Sequence, residues 1–323
     1  MKKFFIIFVA GIILLAIIIG QCSNTEDDYI DDEEDCPSEI EGSEDISTTS
    51  SSLLDVQDEQ EEASMVNDEF DSLTLAIPRV TSNVPNQILY RIAYTVSYNK
   101  NTKCANWVAW HLTKEHALNE TYPRSGVPYF DNNGNAYGIG QVTSETQRGA
   151  YFIDLQSEEP RQQLTDWQNN KYCMEHGHLC PAADNRWSME AMNQSFLLTN
   201  MCPQTHQLNS GVWQSLEESC RNWAINYGDI YIATGPIFYN GISRTIGRGK
   251  VGVPDAFFKV ILRTNPNPES IGFIYPNDGS YGDRRNYVKT VDEIESITDI
   301  DFFYNLPDEI ENQVESKSNL SAW

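Results

Sequence analysis

Glu175-His176-Gly177-His178-Leu179-Cys180-Pro181-Ala182-Ala183-Asp184 is the stretch on which the reading of this chain turns. Two of the chain's 5 histidines lie in it, one residue apart, at the end of a segment of strand-like composition and ahead of a Pro-Ala loop. Imidazole is the side chain best suited to exchange a proton near neutral pH, so the pattern suggests a reactive group held on a sharp turn. Cys173 and Cys180 flank the pair and open a second reading, a zinc site made of Cys173, His176, His178 and Cys180. Its C-x2-H-x-H-x-C spacing is tighter than zinc sites usually show, so the surrounding chain has to decide.

Downstream of this stretch, residues 196–200 (Phe-Leu-Leu-Thr-Asn) predict a short apolar strand. After the loop from Pro203 to Gly211, the residues Val212, Trp213, Leu216, Cys220, Trp223 and Ala224 fall at helical spacing, with Gly228 marking the helix end. Upstream, Ile88, Tyr90, Ile92, Tyr94, Val96 and Tyr98 alternate without a break and predict one long strand. The turn Asn99-Lys100-Asn101 leads to a returning strand over residues 107–113. Residues 119–147 read as a long loop containing Arg124, a candidate phosphate contact. Further strands are expected at residues 230–234, 257–262 and 271–275, and helical stretches begin near Val291 and Leu306. Hairpin-length connections and few helices predict an α+β domain on a mainly antiparallel sheet.

The net charge of −25 looks hostile to nucleic acid, but it is unevenly spread. Residues 23–72 hold 20 Asp and Glu and no Lys or Arg. Setting these and Lys2 and Lys3 aside leaves 27 acids and 20 bases, a net charge of −7 from Leu73 onward, which excludes no class of partner. The acidic segment is rich in Ser and Thr and nearly free of aromatics, so it cannot bury enough apolar surface to offset its ordering entropy. It reads as a solvated linker over residues 23–76; a sharper alternative is a polyanion that folds back over a basic groove. The remaining domain, residues 77–323, draws on a chain with 16 Tyr and 7 Trp, ample for a sizeable core.

Residues 1–22 read as an export signal: Lys2 and Lys3, an apolar run over 4–19, then Gly20-Gln21-Cys22. The run is shorter than the ~20 residues a spanning helix needs. Cys22 resembles the lipid-attachment cysteine of bacterial lipoproteins, although Gln21 stands where that motif prefers a small residue. A lipid anchor at Cys22, cleaved secretion and an uncleaved anchor all place the domain outside the cytoplasm. Besides Cys22 there are six cysteines, Cys36, Cys104, Cys173, Cys180, Cys202 and Cys220, for which an exported protein allows disulfides.

The ordered set Gly177-His178-Leu179-Cys180-Pro181-Ala182-Ala183-Asp184, Leu198-Thr199-Asn200-Met201-Cys202-Pro203-Gln204 and Leu208-Asn209-Ser210-Gly211-Val212-Trp213 through Leu216-Glu217 resembles the DNA/RNA non-specific endonuclease family, built on the ββα-metal (His-Me finger) motif. The resemblance continues in Ala233-Thr234-Gly235-Pro236-Ile237-Phe238, in Val253-Pro254-Asp255-Ala256-Phe257-Phe258-Lys259 and in residues 293–306, and spans roughly residues 88–315. It implies an endonuclease acting on DNA and RNA, with His178 as general base and Asn209 as the single protein ligand of Mg2+, for which Mn2+ can substitute. It further implies that Glu217 supports the metal's waters and that Asn200 orients His178 through a hydrogen bond. Each residue also has a plainer reading: His178 a structural histidine, His176 a bystander, Asn209 a helix cap, Glu217 a solvated carboxylate, Arg124 a surface arginine. The second functional reading is a surface-anchored nucleic-acid-binding protein that keeps the fold with little catalysis.

One departure from the family matters. Its tetrapeptide is usually Asp-Arg-Gly-His, and here Glu175 and His176 hold the first two places. Arg to His removes a permanent bidentate phosphate donor and leaves one whose charge depends on pH, so Arg124 is expected to carry more of that work. A His176→Arg variant is accordingly expected to cleave several-fold faster at neutral pH than the parent, measured by initial rates on plasmid between pH 5 and 8.

Overall fold

The computed structural model describes residues 74–124, 129–130, 136–138, 154, 156–157, 172, 174–247 and 249–323. The expected signal segment and acidic linker, most of the 119–147 loop, and Cys36 and Cys173 lie outside the described residues.

The organising strand is Ala256–Arg263, whose eight residues are all buried. Such burial requires both faces of a sheet to be covered, and the side chains alternate accordingly. Phe257 and Ile261 enter one apolar core. Phe258, Val260 and Leu262 enter a second. The sheet has seven strands, all paired antiparallel: β1 (Gln87–Tyr90), β2 (Thr95–Asn99), β3 (Cys104–Leu112), β6 (Ile230–Ile237), β7 (Ala256–Arg263), β8 (Glu269–Pro276) and β9 (Val288–Lys289), in the order β9-β8-β7-β6-β3-β2-β1. Two strands outside it, β4 (Glu175–His178) and β5 (Met201–Gln204), form a separate hairpin. Among the described residues the α-helices are α1 (Lys114–Leu118), α2 (Met189–Ser195), α3 (Gln214–Tyr227), α4 (Val291–Thr298) and α5 (Asp308–Glu315). This is the α+β, mainly antiparallel fold that the sequence predicts.

Two expectations need correction. The strand predicted over 88–98 is two strands, β1 and β2, joined by a turn in which the Arg91 N–H donates to the Tyr94 carbonyl at 2.8 Å. The Arg91 guanidinium pairs with the buried Asp154 at 2.5 Å. Apolar alternation runs straight through this reversal because no Gly or Pro marks it, and the exposure of Tyr90 (73%) and Ile92 (49%) is visible only once folded. Residues 196–200 are not a strand: Leu198–Asn200 is a 3-10 turn, and the strand begins at Met201. There the Asn200 carboxamide binds backbone groups of other segments and holds the chain in a bend.

The hairpin and α3 make the ββα unit. Glu175 faces Gln204 and His178 faces Met201 in the β4–β5 register. A π-type turn over Leu208–Trp213, kinked at Gly211 (φ −119, ψ −107), leads into α3. The predicted apolar positions Leu216, Cys220, Trp223 and Ala224 are the ones α3 buries. Trp213 meets Phe257 edge-on at 5.7 Å and Trp223 stacks on Phe273 at 6.5 Å, which seats the helix on the sheet. The helix ends at Gly228, whose φ of 90° favours glycine.

Gly177 is required by close approach. A Cβ there would lie 2.2 Å from Gln204 Cδ, and Gln204 is fully buried and cannot swing into solvent. Gly177→Ala is therefore expected to cost about 1–3 kcal/mol, read as a lower urea midpoint at unchanged slope.

Candidate active site

His178 ends β4, and the bend after it is held by Asn200. Asn200 Oδ1 accepts from the Cys180 N–H at 2.9 Å, and Asn200 Nδ2 donates to the carbonyls of Cys180 and Ser195, both at 2.8 Å. The Leu179 N–H donates to the Asn200 carbonyl at 2.9 Å. Asn200 thus braces the backbone beyond His178, where a direct hydrogen bond to the imidazole was expected. The imidazole meets Phe196 edge-on at 5.2 Å, and the Arg124 guanidinium lies over the same phenyl ring at 5.2 Å. Arg124 and His178 are therefore neighbours through one aromatic side chain. Burial, then the charge of Arg124, then His176, pushes the His178 pKa well below the ordinary imidazole value. At neutral pH its ring is uncharged and can accept a proton.

On the other side of the hairpin, Glu175 clamps Asn209. Asn209 Nδ2 donates to Glu175 Oε2 at 2.9 Å, while Glu175 Oε1 lies 2.7 Å from His206 Nδ1. With the amide nitrogen so committed, Asn209 Oδ1 is the atom left for an outside partner, and an amide oxygen is a suitable ligand for a hard cation. Asn209 is no helix cap, since it sits in the π-type turn five residues before α3 begins at Gln214. Glu175 and His206 are functional neighbours absent from the sequence-level site. The retained carboxylate at position 175 was a signal for the first; nothing in the local pattern marked the second.

Beneath the helix lies a buried charge cluster. Burial pushes Glu217 up to about 8, opposed by Lys259 and reinforced by Asp184. Asp184 is itself raised, chiefly by burial, despite Arg221 Nη1 at 3.0 Å and the Trp110 indole N–H donating at 3.1 Å. Lys259 is fully buried, its ammonium 4.6 Å from the centre of a Trp213 ring and 5.0 Å from that of Trp110. Arg221 is one helical turn beyond Glu217 on α3, a spacing that could have revealed it. Lys259 carried no such signal, because a lysine in a strand reads as solvated.

The zinc reading involves Cys173 and Cys180. Cys173 is outside the described residues, and burial holds the Cys180 thiol well above its ordinary pKa while Asn185 Nδ2 donates to its sulfur at 3.4 Å. Cys220 is likewise a buried thiol, pushed up to about 12.

Comparison with known proteins gives a consistent result. The family model described as DNA/RNA non-specific endonuclease matches residues 71–309. A protein named Nuclease from Nostoc sp. is 30% identical over 243 residues, covering 72% of this chain and 78% of that protein. Mitochondrial endonuclease G of Bos taurus is 30% identical over 185 residues, 54% of each chain. Among solved structures, the crystal structure of an EndoG/EndoGI complex matches with a TM-score of 0.59 at 21% identity, over 73% of this chain and 91% of that one, a likeness of fold.

If Glu175 holds the Asn209 amide in place, Glu175→Ala should leave the circular dichroism spectrum intact yet raise the divalent-cation concentration giving half-maximal activity by ~10–100-fold.

Proposed function

Since the chain belongs to the DNA/RNA non-specific endonuclease family and is a phosphodiester-hydrolysing enzyme, we propose that it is an exported, Mg2+-dependent nuclease that cleaves DNA and RNA with little sequence preference. The observation that carries this reading is the Glu175–Asn209 clamp, at 2.9 Å, on the same short hairpin as the half-buried His178, whose pKa is lowered well below the ordinary imidazole value. The clamp leaves the Asn209 amide oxygen for a cation, and the strand that carries Glu175 also carries His178.

In this reading Asn209 Oδ1 holds the cation, which keeps most of its waters and needs few protein ligands. When bound, Mg2+ supplies positive charge to the phosphate and the leaving oxygen. Everything else falls to the chain's own side chains. His178 takes a proton from the attacking water, and its depressed pKa keeps the ring free to do so. Asn200 and the β4–β5 pairing hold that ring's backbone in place. Glu217, pushed up to about 8 chiefly by burial, would give up its proton and act as a hydrogen-bond acceptor where added positive charge lowers its pKa. Arg124, with His176, would engage the flanking phosphate, and the exposure of Arg124 suits contact with a polymer.

Export rests on Lys2, Lys3, the apolar run over 4–19 and Cys22. Lipid attachment at Cys22 would place the enzyme on a membrane surface, with the acidic 23–72 segment as a spacer.

Two measurements test the proposal. Plasmid and total RNA incubated with the full chain should both be degraded with Mg2+ and spared with EDTA; His178→Ala should lower the rate by ~100–10,000-fold. Because the imidazole must be uncharged and its pKa is lowered, kcat/KM should rise with pH through an acid limb centred below pH 6.5 and be flat with respect to this group at neutral pH. An acid limb centred above 6.5, or a His178→Ala variant as active as the parent, overturns the assignment of the base.

A further inference from the structure

A second cluster of acids lies away from the hairpin, where α4 and α5 pack on the other core. Val291, Ile294 and Val314 belong to the apolar layer that contains Phe258 and Leu262, not to the one beneath α3. There Asp292 and Glu295 of α4 converge with Glu315, the last residue of α5, and one carboxylate oxygen from each lies within 4.8 Å of the others. Asp292 and Glu295 share a helix face by their i, i+3 spacing.

Three carboxylates on a surface would need no explanation. Glu315, however, is only 4% exposed, and its Oε1 is buried without a hydrogen-bond partner. A buried carboxylate oxygen that accepts nothing keeps its full desolvation cost. The surroundings add negative charge: Asp301 and Glu311 act on both Glu295 and Glu315. The Arg79 guanidinium is engaged by Asp301. One Glu295 oxygen accepts from the Phe302 N–H at 2.8 Å, which fixes that side chain in the cluster. Burial first, then the neighbouring acids, pushes Glu315 up to about 9 and Glu295 up to about 7, so anionic charge here is expensive until a cation offsets it.

We propose that Asp292, Glu295 and Glu315 form a binding site for Ca2+ that ties the end of α5 to α4. Oxygens sharing one Ca2+ at 2.3–2.6 Å lie no more than ~5 Å apart, and the 4.8 Å spread meets that bound. Asp292 is exposed, so its side of the site is open to water, which completes the six to eight ligands Ca2+ takes. An irregular trio from two helices suits Ca2+ better than Mg2+, which demands near-ideal octahedral geometry. The site is structural, and its argument is independent of the Asn209 cation.

Thermal unfolding of the full chain tests this. In millimolar CaCl2, relative to EDTA, the parent Tm should rise by roughly 5 °C, and both Glu315→Gln and Asp292→Asn should lose most of that rise. The acidic 23–72 segment and the Asn209 site are unchanged in all three proteins, so their own ion binding cancels in the comparison. Asp292 is exposed, so its variant keeps the test valid if Glu315→Gln misfolds. Equal Ca2+ shifts in parent and variants, or none in the parent, overturn the site. A Mg2+ shift in the parent as large as the Ca2+ shift, and lost in the same variants, overturns the assignment to Ca2+.

Discussion

A single ammonium group links the sheet to the catalytic face. Lys259 lies on the central strand β7 between Phe257 and Ile261, on the side facing α3, with its charge between the rings of Trp110 and Trp213. Each ring contributes ~2 kcal/mol at best to a desolvated cation, whereas burying an ammonium costs several. The rings alone do not close that gap, and the balance is electrostatic: Lys259 acts on both Asp184 and Glu217, lowering the pKa of each. The carboxylates in turn depend on Lys259 and Arg221 for counter-charge. The helix that carries Glu217 is therefore seated on the sheet by apolar packing and tied to the segment after β4 by the Arg221–Asp184 pair at 3.0 Å.

Above this network the site is built from side-chain hydrogen bonds and backbone pairing. The four residues of β4 supply His178, its neighbour His176, the Glu175 clamp and the glycine that lets the hairpin close. Since adjacent residues on a strand point to opposite faces, His176 and His178 share one face, while Glu175 points the other way and reaches Asn209. One short strand thus sets both the position of His178 and the orientation of the Asn209 amide. That economy explains why the π-type turn at Leu208–Trp213 matters: it sets the phase at which Asn209 meets Glu175 before regular helix begins.

Much of this was legible in order along the chain. Helical spacing at Leu216, Cys220, Trp223 and Ala224 and strand composition at 230–234, 257–262 and 271–275 reflect burial of one or both faces, which leaves a local imprint. The reversal at Arg91–Tyr94 left none, because its stabilising partner, Asp154, is 63 residues away in the chain. The same holds for Asn200: its identity could be matched to a motif, but its hydrogen bonds to Cys180 and Ser195 depend on how two turns come together.

The sequence by itself determined the fold class and the ββα order of the hairpin and helix, because each is written in residue type and short spacing; His178 and Asn209 were singled out by their match to family motifs. Only the tertiary structure decided that Glu175 aims Asn209, that His206 joins it, that Lys259 is buried between two tryptophans beneath Glu217, and that three carboxylates of α4 and α5 converge on a buried oxygen. These are contacts between residues distant in the chain or turned from one element to another, and their energies come from desolvation and counter-charge. Both depend on what surrounds a group in space, which the order of residues along a chain does not record.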